Sequence, residues 1–158
     1  MQVVWPNMND STPVFIFSVD GTHCRINEPM HDRYSQDARY FSHKTHSAGL
    51  SYELGVSLYS NQLVWMNGPF PAGRSDMQIF RNNLLERIPV GKSVIADGGY
   101  RGKPQVVSVP NNYDDPDLRK FKRRARCRQE TFNARLKNFR VLDNRFCQQH
   151  QKQTQISL

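Results

Sequence analysis

The sequence predicts an α/β fold, because strand patterns and helix patterns alternate along it. Residues 14–19 are apolar except for one serine, and an apolar run of this length is typical of a strand buried on both faces. Residues 50–58 alternate between apolar and polar side chains, and the apolar residues 63–66 follow a short polar turn, which predicts two antiparallel strands. Two helical patterns come later, one after Ser75 and one after Asp117.

A capping box predicts where the first helix begins. Ser75 and Gln78 stand three residues apart, and Asp76 between them lies in the first turn, where an acid is favourable. The apolar residues that recur at helical spacing are Met77, Phe80, Leu84 and Ile88. They predict a helix of about three turns with one face inward. Pro89 and Gly91 are expected to end it.

The last predicted element is a long basic helix over residues 117–140. Steps of about 100° per residue place two stripes on its surface, more than a quarter-turn apart. The apolar stripe, which is expected to seal the core, contains Phe121, Ala125, Phe132, Leu136 and Phe139. The polar stripe, which is expected to face a cleft, contains Arg126, Glu130, Asn133 and Lys137.

The segments between these elements are expected to be loops and short strands. Residues 28–47 are polar and predict mostly loop; residues 43–46 among them are expected to be exposed, with phosphate contact as the alternative. Residues 67–73 are rich in Gly and Pro and also predict a loop. Residues 93–96 and 106–109 predict two more short strands.

Length and composition indicate one globular domain. The 158 residues suffice for one core, expected over residues 13–146, with an irregular lead-in at 1–12 and a polar, disordered tail at 147–158. No signal peptide is expected, and no apolar run approaches the roughly 20 residues that span a bilayer. The three cysteines form no C-x-x-C pair, which argues for a reducing compartment and against a zinc site.

The positive charge is concentrated near the end of the chain. Residues 119–152 contain twelve Lys/Arg and two acids, a sum of +10, so the remaining residues sum to −2 within the net +8. This asymmetry points to a polyanionic partner, nucleic acid before membrane, because no apolar anchor accompanies it. A solvated basic face is the alternative.

Three acids are candidates for chemistry. Asp20 and Asp97 each end a predicted strand and are followed by glycine, while Glu130 lies on the basic helix. Carboxylates that share a cleft repel one another unless they hold hard cations such as Mg²⁺ or Mn²⁺. Two such ions roughly 4 Å apart support phosphoryl displacement. The alternatives are turns after the strands and a helix ion pair between Glu130 and Arg126.

Four segments resemble the motifs of DDE transposases, with the PIF/Harbinger type and related bacterial insertion-sequence transposases closest. They are Val19–His23, Gly68–Pro71, Ile95–Tyr100, and the pattern Arg126-x3-Glu130-x2-Asn133-x3-Lys137. They occur in the family's order across residues 13–146. The insertion-sequence signature places a tyrosine three residues before its arginine, whereas this chain has Arg123 there.

The resemblance implies an RNase H-like fold, in which helices flank a mixed sheet, and a metal-dependent nuclease reaction. Asp20, Asp97 and Glu130 would be the three acids that hold two Mg²⁺ or Mn²⁺ ions, with Asp76 as the alternative second acid. The reaction that the resemblance implies is hydrolysis of a phosphodiester to free a 3′-OH, followed by attack of that 3′-OH on target DNA. Residues expected to contact DNA are Lys122, Arg123, Arg126, Arg128, Arg135 and Lys137.

The same resemblance implies partners and a location. Relatives usually carry a helix-turn-helix module before the catalytic domain or rely on a Myb-like protein, so we expect a separate DNA-reading partner. A homo-oligomer, and action in the nucleus or in a bacterial cytoplasm, are also expected. The rival hypothesis is a decayed or domesticated derivative that binds DNA without cleaving it. An RNA-binding module lacks support, because no aromatic RNP-like segment occurs.

Overall fold

The computed structural model describes residues 15–27, 37–60 and 62–139, which form a six-stranded sheet flanked by two helices. The strands are β1 (Phe15–Arg25), β2 (Phe41–Ser42), β3 (Ser47–Ser57), β4 (Leu63–Pro71), β5 (Ser93–Ile95) and β6 (Val107–Ser108). The α-helices are α1 (Asp76–Asn83) and α2 (Pro116–Lys137). Short 3₁₀ helices cover Ala38–Tyr40, Leu85–Arg87 and Gly98–Tyr100.

The sheet mixes antiparallel and parallel pairs. β3 runs antiparallel to β1, β2 and β4, while β5 runs parallel to β1 and β6 runs parallel to β5. The strand order is β2-β3-β1-β5-β6, with β4 also paired to β3. The predicted α/β, RNase H-like mixed sheet with flanking helices is therefore confirmed.

β1 is the central strand and is longer than predicted. We expected it to end at Asp20, but it continues to Arg25 because β3 pairs with it over the whole length, from Phe17↔Ser57 to Arg25↔Gly49. Its pairing with β5 stops earlier, at Ser18↔Ile95. Asp20 therefore lies inside a strand, at the point where the parallel neighbour has ended and the sheet opens.

The core on one face of the sheet is built around α1. Phe17 and Val19 of β1 pack with Phe80 and Leu84 of the helical segment, and Phe80 meets the Tyr100 ring edge-on at a centroid distance of 5.8 Å. The predicted capping box at Ser75 is present. The helix itself is shorter than predicted, since its α-helical part ends at Asn83 and a 3₁₀ turn follows at Leu85–Arg87, a frequent way for an α-helix to end.

Two segments that we predicted as loops contain strand. β4 runs through Asn67 to Pro71, because its only partner among the described residues is β3 and an edge strand tolerates proline. Gly68 takes the positive φ of 141° that the irregular ladder requires there. Within residues 28–47, β2 occupies Phe41–Ser42 and β3 begins at Ser47; residues 28–36 lie outside the described part.

α2 begins and ends close to the predicted positions, but its inward face is different. Asp115 caps it by accepting a hydrogen bond from the Asp117 N–H. The apolar stripe was expected to be buried, yet Phe139 is 64% exposed and Phe121 is also exposed. The buried residues of the helix are Lys122, Ala125 and Gln129. The prediction is wrong for Phe121 and Phe139 but holds for Ala125, because β1 presents polar partners here and the helix turns between its two stripes to meet them.

Some expectations fall outside the described residues. The lead-in at 1–12 and the polar tail at 147–158 are among them, as are both boundaries of the predicted domain. No helix in the described ranges is long and apolar enough to cross a membrane.

Candidate active site

Asp20 occupies the centre of the candidate site. Its Oδ1 accepts a hydrogen bond from the Gly21 N–H at 2.8 Å, and its Oδ2 accepts one from Asn133 Nδ2 at 2.9 Å. Burial and the nearby negative charge of Asp97 together raise the pKa of Asp20 to about 6, against the lowering effect of the Gly21 hydrogen bond. The protein therefore holds this carboxylate in one position at an energetic cost to its charged form.

Asp97 lies next to Asp20 because the parallel pairing of β1 with β5 ends just before both residues. Asp20 is two residues beyond Ser18, and Asp97 is two residues beyond Ile95, the last residues that β1 and β5 pair. Asp97 caps the 3₁₀ helix Gly98–Tyr100, and its Oδ1 accepts a hydrogen bond from the Gly99 N–H at 2.8 Å. The sequence predicted both acids at strand ends, but the structure places Asp20 inside β1 and Asp97 two residues after β5, and it brings them together at the C-terminal end of β5.

Asp76, the alternative second acid, also reaches this site. It is the first residue of α1, and its side chain occupies space that two glycines leave open. A Cβ on Gly21 would lie 2.6 Å from Asp76 Oδ1, and a Cβ on Gly99 would lie 3.0 Å from Asp76 Oδ2. Burial raises the pKa of Asp76, and the charge of Asp97 adds to that rise. The cluster is thus made of Asp20, Asp76 and Asp97.

Glu130 is not part of that cluster in this structure. Its side chain is 63% exposed and pairs with Arg126 one turn earlier, at 3.4 Å between Nη2 and Oε1. Within the described residues, no three His, Cys, Asp or Glu side chains converge in a geometry that could hold a metal ion. The helix ion pair that the sequence allowed as the alternative for Glu130 is therefore present.

A fourth acid, Glu53, lies close enough to Asp76 for their charges to interact, and no pattern in the sequence indicated it. Glu53 is 1% exposed, and its Oε2 accepts a hydrogen bond from Trp65 Nε1 at 2.9 Å. Its pKa is raised to about 7, mainly by burial and also by the charge of Asp76, against the lowering effect of the Trp65 hydrogen bond. The alternation along β3 predicted an outward position, but β3 is flanked by strands on both sides and covered on both faces.

One lysine acts on the cluster from the turn before β3. The positive charge of Lys44 lowers the pKa of Asp20 and of Asp76, against the larger effect of burial. The turn is fixed by a hydrogen bond between Thr45 Oγ1 and His23 Nε2 at 3.0 Å. Residues 43–46 form a turn in which His43, Lys44 and His46 are exposed, as predicted, and phosphate contact by this turn stays a prediction.

The basic side chains of α2 differ in what they are free to bind. Of the residues predicted to contact DNA, those that are exposed or half-buried are Arg123, Arg126, Arg128, Arg135 and Lys137. Arg128 already donates to the Leu58 carbonyl at 2.8 Å, which ties the helix to the end of β3. The charge of Lys137 lowers the pKa of His23, after the effect of burial, so Lys137 lies near the second half of β1.

Lys122 is a correction to the predicted DNA contacts. It is 4% exposed, and its Nζ pairs with Asp114 Oδ1 at 2.9 Å. It also lies over the Phe15 ring at 6.0 Å from the centroid. A buried ammonium that is already paired cannot reach a phosphate, so Lys122 has a structural role.

Comparison with known proteins gives the family. The family model described as DDE superfamily endonuclease matches residues 19–158 of this chain. The chain therefore belongs to the DDE superfamily endonucleases. No curated protein and no solved structure matches it.

Proposed function

Because the chain belongs to this family, we propose that it is the catalytic domain of a metal-dependent DNA endonuclease of the transposase type, close to PIF/Harbinger elements. The observation that carries this proposal is that Asp20 and Asp97 lie together where the parallel pairing of β1 with β5 ends, beside Asp76. The proposed reaction is cleavage of a DNA phosphodiester, followed by strand transfer from the 3′-OH.

The chemistry of the cluster fits a hard divalent cation. Burial and the charge of Asp97 raise the pKa values of Asp20 and Asp76, and no ion pair within the described residues neutralises either carboxylate. Carboxylate oxygens are the ligands that Mg²⁺ and Mn²⁺ prefer. When bound, two such ions would supply Lewis acids that activate the attacking oxygen and stabilise the leaving one. The residues proposed to hold them are Asp20, Asp97 and Glu130.

The choice of second acid favours Asp97 over Asp76. Asp97 follows the last paired residue of β5 at the same spacing as Asp20 follows that of β1, and its backbone position is fixed by the 3₁₀ helix that it caps. Asp76 has a structural reason to be where it is, since an acid in the first turn of α1 interacts favourably with the helix dipole. Its place against Gly21 and Gly99 keeps it as the alternative.

Glu130 is proposed as the third acid although it faces Arg126. An exposed ion pair between residues one helical turn apart contributes only about 0.5 kcal/mol or less, so Glu130 can leave it at small cost. The helix places it three residues before Asn133, which contacts Asp20. We propose that a change of side-chain rotamer turns Glu130 from Arg126 toward the cleft.

The basic residues around the cluster are proposed to hold DNA. Arg126 and Lys137 lie on the side of α2 that carries Asn133, and we assign them to phosphates near the cleaved bond, with Lys44 opposite. Arg123, Arg128 and Arg135 would extend the phosphate track. The motif resemblance supports a separate Myb-like or helix-turn-helix DNA-reading partner, a homo-oligomer, and action in the nucleus or a bacterial cytoplasm.

A nicking assay tests the proposal. Supercoiled plasmid is incubated with the purified protein and Mn²⁺ or Mg²⁺, and the open-circular product is measured on a gel. We expect nicking that EDTA stops and that Asp20→Ala, Asp97→Ala and Glu130→Gln abolish. The matched control is Asp117→Ala, an exposed acid in the first turn of α2. Undiminished nicking by Asp97→Ala, together with its loss in Asp76→Ala, would transfer the second-acid role to Asp76.

The second candidate function is DNA binding without cleavage. The position of Glu130 favours it, since the described residues do not assemble a three-ligand metal site. Binding that survives EDTA, with no strand cleavage under either metal, is the outcome that selects this alternative over the endonuclease.

A further inference from the structure

Four side chains join β1 to α2 in a continuous series of hydrogen bonds. Ser18 Oγ donates to Gln129 Oε1 at 2.7 Å, and Gln129 Nε2 lies 3.4 Å from Asn133 Oδ1. Asn133 Nδ2 then donates to Asp20 Oδ2 at 2.9 Å. Gln129 Nε2 also reaches the Leu54 carbonyl at 3.3 Å. We call Ser18, Gln129, Asn133 and Asp20 the β1–α2 ladder.

The spacing of the two elements makes this ladder possible. Ser18 and Asp20 are alternate residues of a strand, so they point to the same face at a separation of about 7 Å. Gln129 and Asn133 are four residues apart on a helix, a rise of about 6 Å. The two distances nearly match, so both cross-links form together only when α2 takes one rotation and one longitudinal position against β1.

Burial makes that arrangement specific. Ser18 and Gln129 are 2% and 3% exposed, and a buried polar group that loses its partner is costly. A rotation of α2 that buried its predicted apolar stripe would separate Gln129 from its partners on the sheet and leave Ser18 only the Val56 carbonyl, at 3.3 Å. The ladder therefore selects one orientation of the helix over its neighbours, a role that satisfied polar networks have in protein interiors.

We propose that Asn133, supported by Gln129 and Ser18, is a positioning residue of the metal site; this inference depends on the proposed function. Asn133 fixes one oxygen of Asp20 and the Gly21 N–H fixes the other, so the carboxylate has one orientation. Asn133 also lies three residues after Glu130 on the same helix. One hydrogen bond therefore sets both the orientation of the first acid and the position from which the third acid approaches it.

Metal affinity distinguishes this role from a purely structural one. In Asn133→Leu, which keeps the side-chain shape and removes the donor, we expect Mn²⁺ to bind about 10- to 100-fold more weakly by titration calorimetry. The melting temperature should change by only a few degrees. Excess Mn²⁺ should restore nicking to Asn133→Leu, because its ligands are intact, and should not restore it to Asp20→Ala.

Two further variants complete the experiment. Gln129→Leu breaks the ladder while every carboxylate and Asn133 itself stay unsubstituted. It should therefore weaken Mn²⁺ binding as Asn133→Leu does, by a smaller factor. It serves as the test if Asn133→Leu does not fold. Asn82→Ala, an exposed asparagine on α1, is the matched control and should bind Mn²⁺ like the wild type.

The outcomes separate the two proposals. Wild-type Mn²⁺ affinity in folded Asn133→Leu and Gln129→Leu overturns the positioning role and leaves the endonuclease proposal intact. A loss of affinity that only accompanies unfolding in both variants also overturns it. A wild-type protein that neither binds Mn²⁺ nor nicks DNA contradicts the proposed function, and the role of Asn133 falls with it.

Discussion

Single residues decide how closely the carboxylates of the site approach one another. Gly21 and Gly99 have no side chain where Asp76 enters, and each would contact its carboxylate if a Cβ were added. Asp20, Asp76 and Asp97 consequently share one small volume, and the burial and charge that raise the pKa of Asp20 follow from that. The energetic cost of this crowding is the property that a divalent cation would relieve.

A methyl group on Gly21 tests this crowding. In Gly21→Ala the new Cβ would lie 2.6 Å from Asp76 Oδ1, so the flexible Asp76 carboxylate must move out of the cluster. We expect nicking to fall while the melting temperature stays within a few degrees of the wild type.

Gly55→Ala is the matched control for that experiment. Its Cβ would lie 2.8 Å from Trp65 Cβ and 2.9 Å from the Phe17 ring, in the packed core rather than the site. Overpacking of this kind costs about 1–3 kcal/mol, so its melting temperature should fall by several degrees. Wild-type nicking rates in Gly21→Ala would contradict the account of the cluster.

Glu53 gives a prediction about pH. Its pKa rises from an ordinary 4.5 to about 7, so between these values the folded protein holds a proton that the unfolded chain releases. The free energy of unfolding therefore falls as the pH rises through this window. Glu53→Gln keeps an acceptor for Trp65 and cannot ionise, so it should be more stable than the wild type at about pH 8, by at most ~3 kcal/mol.

Melting temperatures in EDTA between about pH 4.5 and 8 measure this effect. The difference between Glu53→Gln and the wild type should be small at the acid end and grow with pH. A variant that is less stable than the wild type at the alkaline end would show that the wild-type carboxylate is ionised and stabilising there.

At the scale of elements, the sequence predicted which segments are regular better than how they face one another. The apolar run of β1, the capping box of α1 and the length of α2 follow from local patterns. The continuation of β1 past Asp20 depends on β3, and the extension of β4 to Pro71 depends on its edge position. Neither the pairing of β1 with β3 nor the edge position of β4 can be predicted from a local sequence pattern.

The orientation of α2 shows the same limit. Hydrophobicity predicted that Phe121 and Phe139 would face the core, but both are exposed because Ser18 and Asp20 of β1 pair with Gln129 and Asn133 instead. Lys122, which the family resemblance assigned to DNA, is buried beside Asp114 in the same orientation of the helix. Residue type indicated the candidate acids of the site. The hydrogen-bond network that orients Asp20 could not be predicted from the sequence, because it depends on which residues of α2 meet β1.

At the scale of the whole molecule, charge is separated along the chain. Residues 119–152 carry +10 and the rest −2, and α2 presents part of this charge beside the acids. Affinity for DNA should therefore depend strongly on salt, with log K falling against log salt by about 0.9 for each phosphate neutralised.

Three variants, at Arg126, Lys137 and Lys122, separate DNA contacts from structural charge. Arg126→Ala and Lys137→Ala should each reduce the salt slope by about 0.9, because each removes one proposed phosphate contact. Lys122→Met should leave the slope unchanged and lower the melting temperature, since it removes the partner of Asp114. Fluorescence anisotropy with labelled duplex DNA at several salt concentrations measures the slopes, and a reduced slope in Lys122→Met would contradict the structural role of Lys122.

The central claim is that Asp20 and Asp97 hold a divalent cation with Glu130. A crystal of the protein soaked in Mn²⁺ tests it most directly, because anomalous scattering locates the ion. We expect Mn²⁺ bound by carboxylate oxygens of Asp20 and Asp97, with Glu130 turned away from Arg126 toward it. A crystal with no Mn²⁺ at Asp20, or with the ion held elsewhere, would contradict the account.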